Sequence, residues 1–156
     1  MTRSRGIFIC ALFWLATAVP ALGETRHVDD SQSQVLGQTL RLKPIAPYSR
    51  GAQANVVAGN VTVVVRLDVA AWKGRQGRIY MTLPEQSGEA ITATWTTRGR
   101  LMPGALRSGE RTPVYAGLIQ ADALEDTLRL TIQADERRLP QNAQLAFAFE
   151  IDLGTP

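Results

Sequence analysis

The chain has 156 residues, a formal charge of +3 at pH 7, one cysteine and one histidine. That length suits one domain with a hydrophobic core of its own. A single cysteine excludes a disulfide-stapled scaffold, and a single histidine beside it excludes the four-ligand sets of structural zinc.

The first predicted element is an export signal, residues 1–23. Arg3 and Arg5 supply positive charge, and an unbroken apolar run follows from Gly6 to Val19. Pro20 ends that run, and Ala21 and Gly23 put small residues at the positions a signal peptidase reads before a cut ahead of Glu24. The run falls short of the roughly 20 apolar residues that span a bilayer comfortably. Cys10 lies inside it rather than at the cleavage point, so lipid attachment is not expected. No second apolar run follows, which predicts no membrane span after cleavage. The mature chain then starts at Glu24, lacks cysteine and is close to neutral, since Arg3 and Arg5 leave with the signal. Its expected location is the periplasm, the cell surface or the extracellular medium.

Residues 24–34 (ETRHVDDSQSQ) are polar and without periodicity, and read as a flexible leader. Residues 35–156 form the expected domain, where apolar and polar residues alternate with the period of strands buried on one face. The clearest case runs from Val61 to Val69, with Val61, Val63, Val65, Leu67 and Val69 on one side and Thr62, Arg66 and Asp68 on the other. Leu128, Leu130 and Ile132 repeat the pattern, as do Leu145, Phe147, Phe149, Ile151 and Leu153 against Glu150 and Asp152. Weaker strands are expected at Leu36–Leu42, Arg78–Leu83, Ile91–Thr97 and Val114–Ile119, with a short one between Leu101 and Leu106. Lys73-Gly74, Gln76-Gly77, Ser87-Gly88, Arg98-Gly99 and Ser108-Gly109 read as turns, and Ala121 to Asp126 as one helical turn between strands. Short strands at this spacing predict an all-β fold, a single antiparallel β-sandwich of immunoglobulin-like or Greek-key type, with a β-barrel as the alternative.

Nothing in the chain assembles a catalytic centre. A nucleophile needs a base within reach and a group to orient that base, yet the only histidine, His27, lies in the polar leader. His27, Asp29 and Asp30 offer one nitrogen ligand and no zinc or calcium spacing. Glu150 and Asp152 share an outward face, as carboxylates of a glycosidase would, but so do acids on many solvated strands. No catalytic residue, metal or cofactor is assigned.

Basic residues outnumber acidic ones in the middle of the chain: Lys73, Arg75, Arg78, Arg98, Arg100, Arg107 and Arg111 against Glu85, Glu89 and Glu110. Such an imbalance suits an anionic partner. Strand parity puts Trp95 in the core with Ile91 and Ala93. It turns Tyr80 away from Ile79 and Met81, turns Tyr115 away from Val114 and Ala116, and leaves Trp72 near the surface. Outward rings beside cations can stack on sugars or grip a protein. Arg75, Arg78, Tyr80, Tyr115 and Trp72 are therefore the candidate binding residues. A protein partner or an anionic glycan is the expected ligand, and no nucleic acid is.

The run Gly77-Arg78-Ile79-Tyr80, then Trp95, then Val114-Tyr115-Ala116-Gly117 resembles a module of bacterial extracellular and surface proteins. The likeness covers roughly Val61 to Ile132 and implies a β-sandwich outside the cytoplasm, with no activity attached. In general form, with a signal, an early alternating strand and an apolar last strand, the chain also resembles fimbrial subunits. It lacks the paired cysteines of many such subunits and ends in Gly154-Thr155-Pro156. Three expectations follow. The first is an exported non-enzymatic binding or structural module. The second is a subunit or accessory of a surface fibre that donates Leu36–Leu42 as a strand. The third is an enzyme acting on polysaccharide.

Overall fold

The computed structural model describes residues 24–37, 40–45, 51, 55–85, 91–139 and 145–154; the expected export signal lies outside them. Ten strands occur among these residues: β1 Thr25–Val28, β2 Gln34–Leu36, β3 Lys43–Pro44, β4 Val56–Asp68, β5 Gln76–Thr82, β6 Thr92–Thr96, β7 Gly104–Arg107, β8 Arg111–Leu118, β9 Ala123–Asp135 and β10 Ala148–Leu153. They form two antiparallel sheets. The first has the order β1-β10-β5-β8, the second β2-β4-β9-β6-β7 with β3 also paired to β4. This is the two-layer arrangement expected of a sandwich. Among the described residues no helix is long and apolar enough to cross a membrane.

Period-two burial builds one core between the layers. Along β9, Leu124, Leu128, Leu130, Ile132 and Ala134 are buried and their neighbours are not. Val57, Val65 and Leu67 of β4, Ile79 and Met81 of β5, and Phe149, Ile151 and Leu153 of β10 complete the contact. Trp95 is 3 % exposed, on the same side as Ile91 and Ala93, as parity predicts. Its indole Nε1 donates to the carbonyl of Met102 at 3.0 Å, which satisfies the ring's one polar atom. The Lys73-Gly74 turn forms as expected, with Gly74 at a φ of 82° that side chains disfavour.

Four local expectations are corrected. Residues 24–34 are not a featureless leader: β1 pairs with β10 in register Thr25↔Asp152 to Val28↔Phe149, and Val28 is fully buried. One apolar residue in a polar run was too weak a signal to show this. Ala121–Asp126 is not a helical turn, because β9 begins at Ala123 and pairs with β4 from Asp68↔Ala123 onward. Its partner β4 is also longer than expected, since it starts at Val56. Gln76-Gly77 is not a turn but the start of β5, with Gly77 buried opposite Gly117.

Candidate binding surfaces

On the outer face of the first sheet a cation and a ring meet, but they are not the pair expected from the sequence. Arg78 and Tyr80 lie on one face of β5, between the buried residues Gly77, Ile79 and Met81. Arg78 is exposed. Tyr80, however, is covered by Arg111 of β8, whose guanidinium carbon lies 4.0 Å from the ring centroid. Arg111 reaches on across β5 to β10, where it donates to Asp152 Oδ2 at 2.6 Å and approaches Glu150 Oε2 at 3.6 Å. Thr25 Oγ1 of β1 donates to the same Asp152 at 2.6 Å. One arginine thus ties β8, β5 and β10 together, and its bond to Asp152 holds that carboxyl below the usual carboxylate range and raises the guanidinium.

Tyr115 does not face outward. A β-bulge shifts the β5–β8 register between Ile79 and Tyr80, so that Ile79 pairs with Tyr115 and Tyr80 with Pro113. Val114 is the extra residue, and the bulge turns it and Tyr115 toward the same side. Tyr115 is half-buried, packs against the core and donates its hydroxyl to the carbonyl of Leu118 at 2.8 Å. Trp72 also packs against the core, in the short 3-10 turn Ala70–Trp72. Arg75 is exposed beside that turn. Of the five candidates, then, the structure leaves Arg75 and Arg78 exposed, with no ion pair within 4 Å among the described residues, and brings none of the three rings to them as an open platform. Parity could not reveal the bulge, and nothing local in the sequence linked Arg111 to Tyr80.

The two long sides of the sandwich differ. One is closed by bonds between the edge strands β7 and β8: Met102 N donates to Val114 O at 2.7 Å, and Thr112 Oγ1 to Ala105 O at 2.6 Å. Among the described residues the other side is joined by backbone at one end, where Asp68 N donates to Asp29 O at 2.9 Å, and is less covered beyond it. There β1 covers only Phe149 to Asp152 of β10, and the short β2 and β3 cover parts of β4. A groove of about 350 Å³ opens among apolar side chains, including Val35, Leu42, Val63, Leu130, Leu145 and Phe147. Val35 and Leu36 of β2 and Ile45 beyond β3 are 61 %, 51 % and 52 % exposed, a large apolar display for an edge.

Periodicity offered no hint of Asp126, the one buried acid among the described residues. Asp126 occupies an inward position on β9, 7 % exposed, where periodicity calls for an apolar residue. Its carboxylate accepts from three backbone amides: Thr127 N at 2.7 Å, Leu101 N at 2.8 Å and Arg98 N at 3.1 Å. Gly99 leaves room for it, since a Cβ there would stand 3.1 Å from the carboxylate atoms. Asp126 therefore fixes the loop between β6 and β7, which carries Arg98 and Arg100. His27 sits opposite Glu150 on the exposed face of the first sheet, and no three potential metal-ligating side chains converge among the described residues. The chain matches no protein-family model and no curated protein.

Proposed function

We propose that this chain is an exported, non-enzymatic module of the periplasm or cell surface, and that it works as an assembly subunit which packs on a second copy of itself through the less covered side of its sandwich. The observation that carries this reading is the pair of exposed apolar residues Val35 and Leu36 on the edge strand β2, continuous at Val35 with the apolar groove. An edge strand presents unpaired backbone groups. Soluble proteins protect such edges with charge, proline or bulges, and a bare apolar edge adds to another chain. Strand addition draws affinity from main-chain hydrogen bonds and specificity from pockets for alternate side chains. Here β2 supplies the edge and the groove supplies the pocket.

This reading refines the donated segment expected from the sequence, Leu36–Leu42. Residues 38 and 39 lie outside the described part of the chain. Leu40 and Leu42 pack against the core, and a Cβ on Gly59 would stand 2.7 Å from the carbonyl of Arg41. Residues 40–42 are seated on β4, so the contact offered to a neighbour is the edge at Val35 and Leu36. The alternation of strands between two sheets fits an immunoglobulin-like sandwich, the form expected for exported modules of this kind.

The test is the oligomeric state of the chain beginning at Glu24, followed by light scattering over a wide concentration range. Association that disappears in the double variant Val35→Lys, Leu36→Lys supports the reading. A chain that is monomeric at every concentration, or an association indifferent to the two lysines, overturns it.

A further inference from the structure

We infer that the outer face of the second sheet holds a separate binding site for an anionic polysaccharide, centred on Arg98 and Arg129. Arg129 stands in the middle of that face. It pairs with Thr62 of β4 on one side and with Thr96 of β6 on the other. Directly opposed residues on one face of a sheet bring their Cβ atoms to about 5 Å, so the guanidinium is flanked by hydroxyls. Thr97 and Arg98 continue from the end of β6, and Thr127 precedes Arg129 by two residues on β9, on the same face. Together with Leu36 of β2, which pairs with Thr62, these six side chains line a recess of about 480 Å³ that contains no acid.

Two features separate this recess from ordinary solvated sheet. The first is that its polar groups are unspent. Arg66, Lys73 and Arg111 each hold a carboxylate from another element, and Arg137 holds that of Asp135 two residues before it. Among the described residues Arg98, Arg100 and Arg129 hold none. The hydroxyls of Thr82, Thr112 and Thr131 are likewise engaged, with Ala148 O, Ala105 O and Asn60 Oδ1. Those of Thr62, Thr96, Thr97 and Thr127 have no partner among the described residues. The second feature is rigidity. Arg98 leaves a loop whose backbone is clamped by the buried Asp126 through its own amide and that of Leu101, while the amide of Thr127, beside the recess, is held by the same carboxylate. A preorganised pair of cations loses less conformational freedom on binding than two free side chains do.

The chemistry selects the ligand class. Guanidinium groups bind sulfate and carboxylate oxygens through paired N–H donors, and threonine hydroxyls exchange hydrogen bonds with sugar hydroxyls. A single-stranded nucleic acid needs rings on which its bases stack, and no aromatic residue lines the recess. An anionic sugar polymer uses both kinds of group on offer. Arg100, exposed on the same loop, extends the positive field along such a polymer. The recess shares Leu36 with the assembly edge, but its charged and hydroxyl groups lie on the outer face of the sheet and outside the groove, so variants at Arg98 and Arg129 test it apart from assembly.

Binding of the chain from Glu24 is measured by calorimetry against heparin as the sulfated probe and polygalacturonate as the carboxylated one, at low and high salt. Neutral dextran and poly-glutamate serve as the uncharged sugar and the acidic polypeptide. The expected result is binding to one or both anionic polysaccharides that weakens with salt, and no comparable binding to dextran or poly-glutamate. The double variant Arg98→Gln, Arg129→Gln, with an unchanged circular dichroism spectrum and melting temperature, should weaken it by roughly tenfold or more. Arg78→Gln on the opposite sheet should leave it within about twofold, as a distant exposed charge is screened. Four results overturn the inference: no binding to either polysaccharide, equal binding to poly-glutamate, an effect of Arg78→Gln equal to that of the double variant, or no effect of the double variant.

Discussion

Gly104 lies directly opposite Trp95 across the β6–β7 ladder, and a Cβ at Gly104 would stand 2.8 Å from Cζ2 of the indole. The ring covers the glycine, while its Nε1 bonds to Met102 O just ahead of β7. The strand thus has a gap because the ring fills it. Trp95→Ala should cost about 3–5 kcal/mol, the usual loss for a buried large aromatic. Gly104→Val should cost about 1–3 kcal/mol by overpacking the same space. Trp72→Ala should cost clearly less than Trp95→Ala, since Trp72 is only half-buried. Urea unfolding of the three variants decides this, and equal losses for the two tryptophans would contradict it.

Asp126 gives a second expectation, with a readout beyond global stability. Asp126→Ala leaves the amides of Arg98, Leu101 and Thr127 without their acceptor, at a cost of about 3 kcal/mol. Asp126→Asn keeps one acceptor oxygen and should lose less. The freed loop should also open to protease. Limited trypsin digestion under native conditions is expected to cleave the alanine variant faster after Arg98 and Arg100 than the parent. Unchanged cleavage would show that other contacts hold the loop.

Alternation alone revealed the two-layer β fold, because each long strand buries one face and solvates the other. It placed Trp95, Leu128, Leu130, Ile132, Phe149 and Ile151 correctly for that reason. It failed wherever a long-range contact outranked the local pattern. Val28 is one apolar residue in a polar stretch, buried only because β10 offers it an edge. Tyr115 was turned by a bulge that exists only in the pairing with β5. Asp126 breaks the apolar rhythm of β9 because three amides from elsewhere meet it. The candidate sites were still harder to read. Arg98 and Arg129 are 31 positions apart in sequence and share a recess only because β6 and β9 are neighbours. The bias in charge pointed to the middle of the chain, but it could not separate arginines already paired from those left free.

The burial of Val28 makes residues 24–29 part of the folded unit. Val28→Asp puts a carboxylate where the native side chain is 0 % exposed, with no cation provided for it. Both this variant and a chain starting at Ser31 should lose several degrees of melting temperature, since β1 is the outer neighbour of β10. Val28→Ile should stay close to the parent. Scanning calorimetry distinguishes the cases, and a truncated chain as stable as the full one would return this segment to the status of a loose leader.

The bond between Arg111 and Asp152 predicts how stability depends on pH. Arg111 holds the carboxyl of Asp152 below its ordinary value near 4, and Thr25 adds to the effect. The folded state therefore binds this proton less readily than the unfolded chain does. The resulting stabilisation is complete above the unfolded value, so from about pH 5 upward. As pH falls below about 4 the unfolded chain takes up the proton first, and the contribution is lost progressively until the folded carboxyl is also protonated. Asp152→Asn removes this dependence. The melting temperature of the parent should exceed that of the variant at pH 7, and the gap should narrow as the two are compared at pH 5, 4 and 3. Asp29 and Asp135 are also held low, by Ser31 and Arg137, but they titrate in both proteins and cancel from the difference. A gap that stays constant from pH 7 to pH 3 would mean that the ion pair across β8, β5 and β10 contributes nothing to the fold. In that case Arg111→Ala should be silent as well, although its guanidinium covers the ring of Tyr80. If the gap narrows as expected, Arg111→Ala should destabilise the parent at pH 7 and expose that ring to solvent. The exposure is measurable as faster quenching of tyrosine emission in the chain beginning at Glu24 with Trp72 and Trp95 replaced by phenylalanine, compared with the same background carrying Arg111.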